Sequence, residues 1–239
     1  MVAHMVGQSD QRSKERGGVR RYLDTVTPEE YTPQTGEVDL AELSLTGLAD
    51  LYGSDKGNIK HGYTKVYEKL IAELAPHKRF PLQIAEVGVA CGASLRMWAN
   101  YCPTSVIWGF DIRPECANLC KDLDNVRIQI VDPRQYQMPA KSLDLFVDDG
   151  SHMAEDIVET LVHCQTWVRS GGYYVIEDLA CTYDEGYAAR FRRNFNSTLP
   201  NDRRLITGLF DEITRVIDSK NGIFCEMNYF PQMLVLKVR

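Results

Sequence analysis

The chain has 239 residues, 44% of them hydrophobic and 25% charged, enough for one domain with a sizeable core plus appendages. A formal net charge of -6 and a pI near 5.4 argue against nonspecific binding to nucleic acid and permit a basic small-molecule substrate. No apolar run approaches the length of a membrane helix and the start lacks the apolar core of a signal peptide, so neither a membrane partner nor export is expected.

The first forty residues are polar and carry Arg12, Lys14, Arg16, Arg20 and Arg21. They read as a flexible, solvated extension, or as a segment that docks on a neighbouring subunit through Arg20-Arg21-Tyr22-Leu23 while Tyr31 helps close a substrate pocket. From residue 41 onward a single catalytic-type domain is expected. Asp39 to Tyr52 and Tyr63 to Leu74 have the apolar spacing of amphipathic helices that precede a sheet.

Leu82 to Val89 is an apolar run that leads into Glu86-Val87-Gly88-Val89-Ala90-Cys91-Gly92, then Ser94 and a helical pattern of Leu95, Met97, Trp98 and Tyr101. This is the strand, glycine turn and helix of a nucleotide-binding unit, although its spacing is not that of G-x-G-x-x-G. Gly88 and Gly92 would let backbone approach a ligand, and amides opening the helix would attract an anion; packing glycines are the plainer reading. Val106 to Phe110 forms the second strand and ends in Asp111, where a ribose-binding acid or a capping acid belongs. Cys116 and Cys120 share a helical face without the histidine pair a zinc site needs. Seven cysteines with no C-x-x-C pair are read as reduced, consistent with a cytoplasmic protein. A third strand, Val126 to Val131, ends near Asp132 and Gln135, whose side chains either read a base edge or build the Pro133 turn.

Leu143 to Val147 is a buried-strand run that ends in Asp148-Asp149-Gly150-Ser151-His152. Ala154 to Val168 follows with helical spacing, and Ser170-Gly171-Gly172 is expected to stop that helix ahead of a strand from Tyr173 to Ile176, which ends at Glu177-Asp178. A right-handed crossover sets both strand ends at one sheet edge, so Asp149, Glu177 and Asp178 should converge beside His152. Three carboxylates suit Mg2+ or a similar hard ion, and the histidine suits a proton acceptor; helix capping and solvation are the bland alternatives for each residue alone. Ala180 to Arg203 mixes aromatic and charged residues directly downstream. It reads either as a substrate lid or as an amphipathic helix with solvated arginines. A helix near Ile206 to Ile217 and strands near Gly222 to Met227 and Met233 to Val238, turning at Asn228 to Gln232, close the chain. The alternation predicts an α/β fold with a doubly wound, mostly parallel sheet.

The set Glu86-x-Gly88-x-x-x-Gly92-x-Ser94-Leu95, Gly109-Phe110-Asp111-Ile112, Asp149-Gly150-Ser151-His152 and Val175-Ile176-Glu177-Asp178-Leu179 resembles class I S-adenosylmethionine (SAM) methyltransferases. More narrowly, it is similar to the metal-dependent sugar O-methyltransferases of antibiotic biosynthesis. The likeness extends to Leu51-Tyr52-Gly53-Ser54-Asp55-Lys56-Gly57, His61-Gly62-Tyr63 and Tyr67, which that family places ahead of the first strand, over the cofactor. It implies a Rossmann-like, seven-stranded fold with an N-terminal helical extension, and SAM and Mg2+ as cofactors. Asp149, Glu177 and Asp178 would hold the metal and His152 would be the general base. Lys56, Tyr63, Glu86, Gly88, Ser94, Asp111, Gln135 and Asp149 would surround SAM. A homodimer and a sugar-containing natural product or antibiotic as substrate are further implications. The chain departs from the macrolide enzymes at Asp132-Pro133-Arg134 and in a shortened stretch between Gln135 and Ser142, where the adenine contact would lie. Rival readings keep the sheet and change the chemistry. They are an N-methyltransferase that anchors an amino sugar on the acids, an iron oxygenase that lacks its second histidine, and a silent nucleotide-binding partner.

Overall fold

Five short segments, mostly apolar and buried, become parallel strands joined by crossovers that return the chain over the sheet. The structure, a computed structural model, describes residues 39–76, 81–198 and 201–239. Its parallel strands are β1 (Gln83–Val87), β2 (Val106–Asp111), β3 (Val126–Ile130), β4 (Leu143–Asp148) and β5 (Val168–Ile176). The antiparallel hairpin β6 (Phe224–Phe230) and β7 (Met233–Val238) completes a seven-stranded sheet of order β3-β2-β1-β4-β5-β7-β6. The order reverses between β1 and β4, and an open α/β sheet binds its ligands at such a switch point.

Helices cover both faces. On one side α1 (Leu45–Tyr52), α2 (Thr64–Leu74) and α3 (Ala93–Tyr101) bury Leu48, Tyr67, Ile71 and Trp98 against Ile84, Leu145 and Val175. On the other, α4 (Ala154–Cys164) and α6 (Arg203–Ser219) bury Ile157, Leu161, Ile206 and Ile213 against Phe146, Ile176 and Leu236. The helix α5 (Glu185–Phe195) lies beyond the carboxyl end of β5, capped by the Asp184 carboxylate, which accepts from the amides of Gly186 and Tyr187. Among the described residues no helix is long and apolar enough to cross a membrane, and all seven cysteines are free.

Four local expectations are corrected. The helix after His152 ends at Cys164, and Ser170-Gly171-Gly172 lies inside β5 instead of stopping that helix. The register between β4 and β5 shifts there; Gly171 takes φ +76°, and a side chain on Gly172 would meet the Asp144 carbonyl oxygen at 2.7 Å, so the glycines build a bulge. The β6–β7 turn is tighter than Asn228 to Gln232, because β6 runs on to Phe230. Cys116 and Cys120 do not share a helix: the 3-10 segment ends at Asn118 and Cys120 has φ +60°. Their thiols lie instead 3.5 and 3.6 Å from the carbonyls of Ala90 and Gly92, backing the glycine turn. Arg20-Arg21-Tyr22-Leu23 and Tyr31 fall outside the described residues.

Candidate active site

The ladder continues one step past the strand ends, where the Asp149 amide donates to the Val87 carbonyl (3.2 Å) and the Glu177 amide to the Asp148 carbonyl (3.0 Å). This stacks the ends of β1, β4 and β5 side by side and brings Asp149, His152, Glu177 and Asp178 together. Gly88 is what allows it. Gly88 has φ +91°, and a Cβ there would stand 2.1 Å from the Asp149 carbonyl oxygen, so a glycine is what lets the two strand ends meet.

The acids divide into a buried and an open group. Lys56, on the loop between α1 and α2, is fully buried; its ammonium donates to Asp149 Oδ2 (2.5 Å) and Glu177 Oε2 (2.7 Å) and lies 3.5 Å from Glu86 Oε1. Tyr67 donates to the other Glu177 oxygen. Glu86 accepts from Ser94 Oγ and Trp98 Nε1, both at 2.6 Å. Burial alone would lower the Lys56 pKa, but Asp149, Glu177 and Glu86 raise it well above its usual value, so the ammonium stays charged. Burial raises Glu177, against the pull of the Lys56 charge beside it.

On the open side, one ligand atom from each of Asp149, His152 and Asp178 lies within 4.8 Å of the other two, and His152 Nε2 is 3.9 Å from Asp149 Oδ1 and 4.0 Å from Asp178 Oδ2. These distances are too long for hydrogen bonds and short enough for atoms facing one small ligand. Both His152 and Asp178 have φ +53°, a conformation that costs energy in residues with a Cβ and that their surroundings must enforce. Tyr63 donates to Asp178 Oδ1 (2.7 Å) and stacks on His61, whose Nε2 is 3.8 Å from the same oxygen. The site therefore has the second histidine nearby that the Asp149-x-x-His152 spacing does not show. Tyr187 of α5 donates to the Ser151 carbonyl (2.9 Å) and sets its ring beside His152, while Asn201 Oδ1 accepts from the Ala154 amide at the start of α4.

Burial lowers the His152 pKa despite Asp178 nearby, which leaves a neutral imidazole at pH 7. Burial works against Asp178, but His152, His61 and the Tyr63 hydroxyl hold it below the ordinary carboxylate range.

The remaining sequence candidates sit on the neighbouring strand ends. Asp111, at the end of β2, accepts from the amides of Val89 (2.9 Å) and Ala90 (3.3 Å) and is paired with Arg113 at 3.0 Å, so it braces the glycine turn. Gln135 is exposed at the end of the Pro133 turn, where Arg134 joins Asp132 to Asp156 and Glu159. Sequence reading missed the roles of Tyr67, Trp98, Tyr187 and Asn201. Tyr63 and Tyr67 are four apart, a spacing that puts both on one helix face and was the available signal; nothing local marks Asn201.

No protein-family model matches the chain. It is 30% identical over 175 residues to 8-demethyl-8-alpha-L-rhamnosyl tetracenomycin-C 2'-O-methyltransferase of Streptomyces olivaceus, a match spanning 69% of this chain and 45% of that protein. It is 27% identical over 161 residues to mycinamicin VI 2''-O-methyltransferase of Micromonospora griseorubida, spanning 61% and 38%. The chain thus spans less than half the length of these curated relatives. Among solved structures, the MycE methyltransferase of the mycinamycin pathway, in complex with Mg and SAH, superposes with a TM-score of 0.66 at 20% identity, over 82% of this chain and 53% of that one. The fold is that of SAM-dependent methyltransferases, and the relatives bear out the resemblance to antibiotic sugar O-methyltransferases.

Proposed function

We propose that the protein transfers a methyl group from SAM to a sugar hydroxyl of a small natural product or antibiotic, with a divalent cation such as Mg2+ bound beside the acceptor. The observation that carries this is the gathering of the Asp149 and Asp178 carboxylates at the strand ends beside the switch of strand order, with His152 Nε2 3.9 and 4.0 Å from an oxygen of each and so free to act as base next to a cation that they hold. The carboxylates of Asp149 and Asp178 fit a small divalent cation, and Glu177, which accepts from Lys56 and Tyr67, is the third carboxylate of the centre. A bound cation supplies charge that fixes an acceptor hydroxyl and lowers its pKa.

The chain's own residues then have three tasks. The ends of β1 and β2, with Gly88 and Asp111, make the wall for the cofactor, the buried Glu86, Ser94 and Lys56 brace that wall from behind, Tyr63 approaches from the N-terminal loop, and Gln135 stands at the adenine side. Asp149 and Asp178 orient the acceptor, a role for which alignment is worth about 7–11 kcal/mol in favourable cases. His152 Nε2 takes the hydroxyl proton as the oxygen forms its bond to the methyl carbon and the carbon–sulfur bond breaks. Within the segment 180–203, the described helix α5 closes over the acceptor. A dimer and a cytoplasmic location accompany this reading. An amine acceptor is disfavoured because Lys56 already neutralises part of the acidic cluster that would anchor a cationic sugar.

The test is calorimetric titration with S-adenosylhomocysteine (SAH), with Mg2+ and a panel of sugar and aminoglycoside acceptors, and again in EDTA. Cofactor binding with metal-dependent acceptor binding is expected. Acceptor binding indifferent to EDTA moves the assignment to an amino sugar, and no SAH binding overturns it.

A further inference from the structure

The turn that carries His152 is short of local support. Met153, at the head of α4, gives that helix no side-chain cap, and the Ser151 hydroxyl is taken up by the Met153 amide at 3.2 Å. The first amide of α4, on Ala154, is capped instead by Asn201 Oδ1 (3.0 Å), 47 positions away. On the other side of His152, the Ser151 carbonyl accepts from the Tyr187 hydroxyl of α5 (2.9 Å). Between these two bonds the fully buried Met153 side chain packs with Tyr187 and Ala188, in a small apolar cluster that also takes in Cys181 and Phe191 and is separate from the two cores of the sheet. Ser151, Met153 and Ala154 are thus all fastened to residues between Cys181 and Asn201, and His152 stands among them at φ +53°. Asn201 also reaches the Asp178 side: its Nδ2 donates to the Cys181 carbonyl (3.2 Å), in the turn whose Cys181 amide donates to the Asp178 carbonyl (2.9 Å). Tyr187 and Asn201 are only 8% and 7% exposed, so water does not compete for these bonds.

From this arrangement we infer that Tyr187 and Asn201 are positioning residues, a two-point clamp that holds the 151–154 turn in its left-handed bend and so sets His152 Nε2 beside the Asp149 and Asp178 carboxylates. The inference rests on the reading of His152 as the proton acceptor. A residue with a Cβ leaves the left-handed region unless its neighbours over-determine it, and here a hydrogen bond on each side and a packed Met153 do so. The segment with α5 then has a part beyond covering the acceptor, since the chain that encloses the substrate also presents the base.

NMR of the full, histidine-labelled chain with SAH present, with melting temperature and SAH affinity measured on the same samples, tests this. The His152 ring signal is assigned by its loss in His152→Ala, and His163, in the last turn of α4, is the internal reference. Tyr187→Phe keeps the ring and its packing and loses the bond to Ser151, whereas Asn201→Ala loses both of its bonds. Each is expected to shift and broaden the His152 signal while that of His163 stays in place. Turnover of an acceptor that binds in the calorimetric titration should fall by up to about 10²-fold at unchanged SAH affinity, the cost of a misplaced base. Asn201→Asp keeps an acceptor for Ala154 and loses the donor to Cys181, so it lowers the melting temperature yet leaves the His152 signal near that of the parent. A merely structural asparagine would not give that separation. If Asn201→Ala does not fold, Tyr187→Phe decides alone. An unmoved His152 signal in these two variants, or a His163 signal that moves as far, overturns the inference while leaving the proposed function standing. Full turnover by His152→Ala, with SAH binding intact, removes the base reading and this inference together.

Discussion

Glu177 and Asp178 are neighbours in sequence, yet the two halves of the acidic centre they belong to are held by opposite means. The Glu177 half is closed: Lys56, Tyr67, Ser94 and Trp98 consume the carboxylate oxygens of Glu177 and Glu86, and burial there supports packing. The Asp178 half is open and strained, with two residues at φ +53° and facing atoms that do not bond one another. Local energy is given up on the open side and recovered on the closed one, as expected where a site must keep ligand-facing groups unpaired.

Four measurements break or sharpen that contrast. His152→Ala, on the open side, is expected to lower turnover by about 10²–10⁴-fold while the melting temperature and SAH affinity stay close to those of the parent. A loss of SAH affinity as large as the loss of turnover would place the histidine in the cofactor site instead. Gly88→Ala strikes the strand junction on which both halves depend. With a positive φ and a backbone oxygen in the way, it should cost about 3–5 kcal/mol in denaturant unfolding, and an unchanged midpoint would refute the close approach.

Tyr67→Phe, on the closed side, leaves a buried Glu177 oxygen without its donor and should cost about 1–3 kcal/mol of stability in denaturant unfolding. The fourth measurement concerns Asp148, whose Oδ2 is buried on the opposite face of the sheet with no hydrogen-bond partner among the described residues. Burial lifts its pKa from 3.8 to about 7. Between those values only the folded state holds the proton, so stability falls as pH rises across that window and levels off above it. Asp148→Asn does not titrate, and its melting temperature should gain on the parent from about pH 4 to pH 7, then run parallel. A gap independent of pH would mean that Asp148 titrates alike in the folded and unfolded states.

Much of the fold was legible because parallel strands buried on both faces announce themselves as apolar runs: the β1, β2, β3 and β4 expectations match the observed strands to within a few residues. Ser170-Gly171-Gly172 misled because glycines that end a helix and glycines that make a bulge have the same composition. Only the neighbouring strand, with the Asp144 carbonyl against Gly172, distinguishes them. The paired acids and His152 were readable as a site from their positions after strands. Their partners were not, since Lys56 meets Glu177 across 121 residues and Tyr187 reaches Ser151 across 36.

By itself the sequence determined the alternation of strands and helices, the strand ends at which chemistry gathers, and the residue types gathered there, because periodicity and chain reversal are local properties. Which oxygen of each acid stays free was decided only by tertiary structure. That depends on which donors from distant segments arrive first at a shared, buried point, and a buried ammonium with three donors leaves no second choice to the carboxylates it binds.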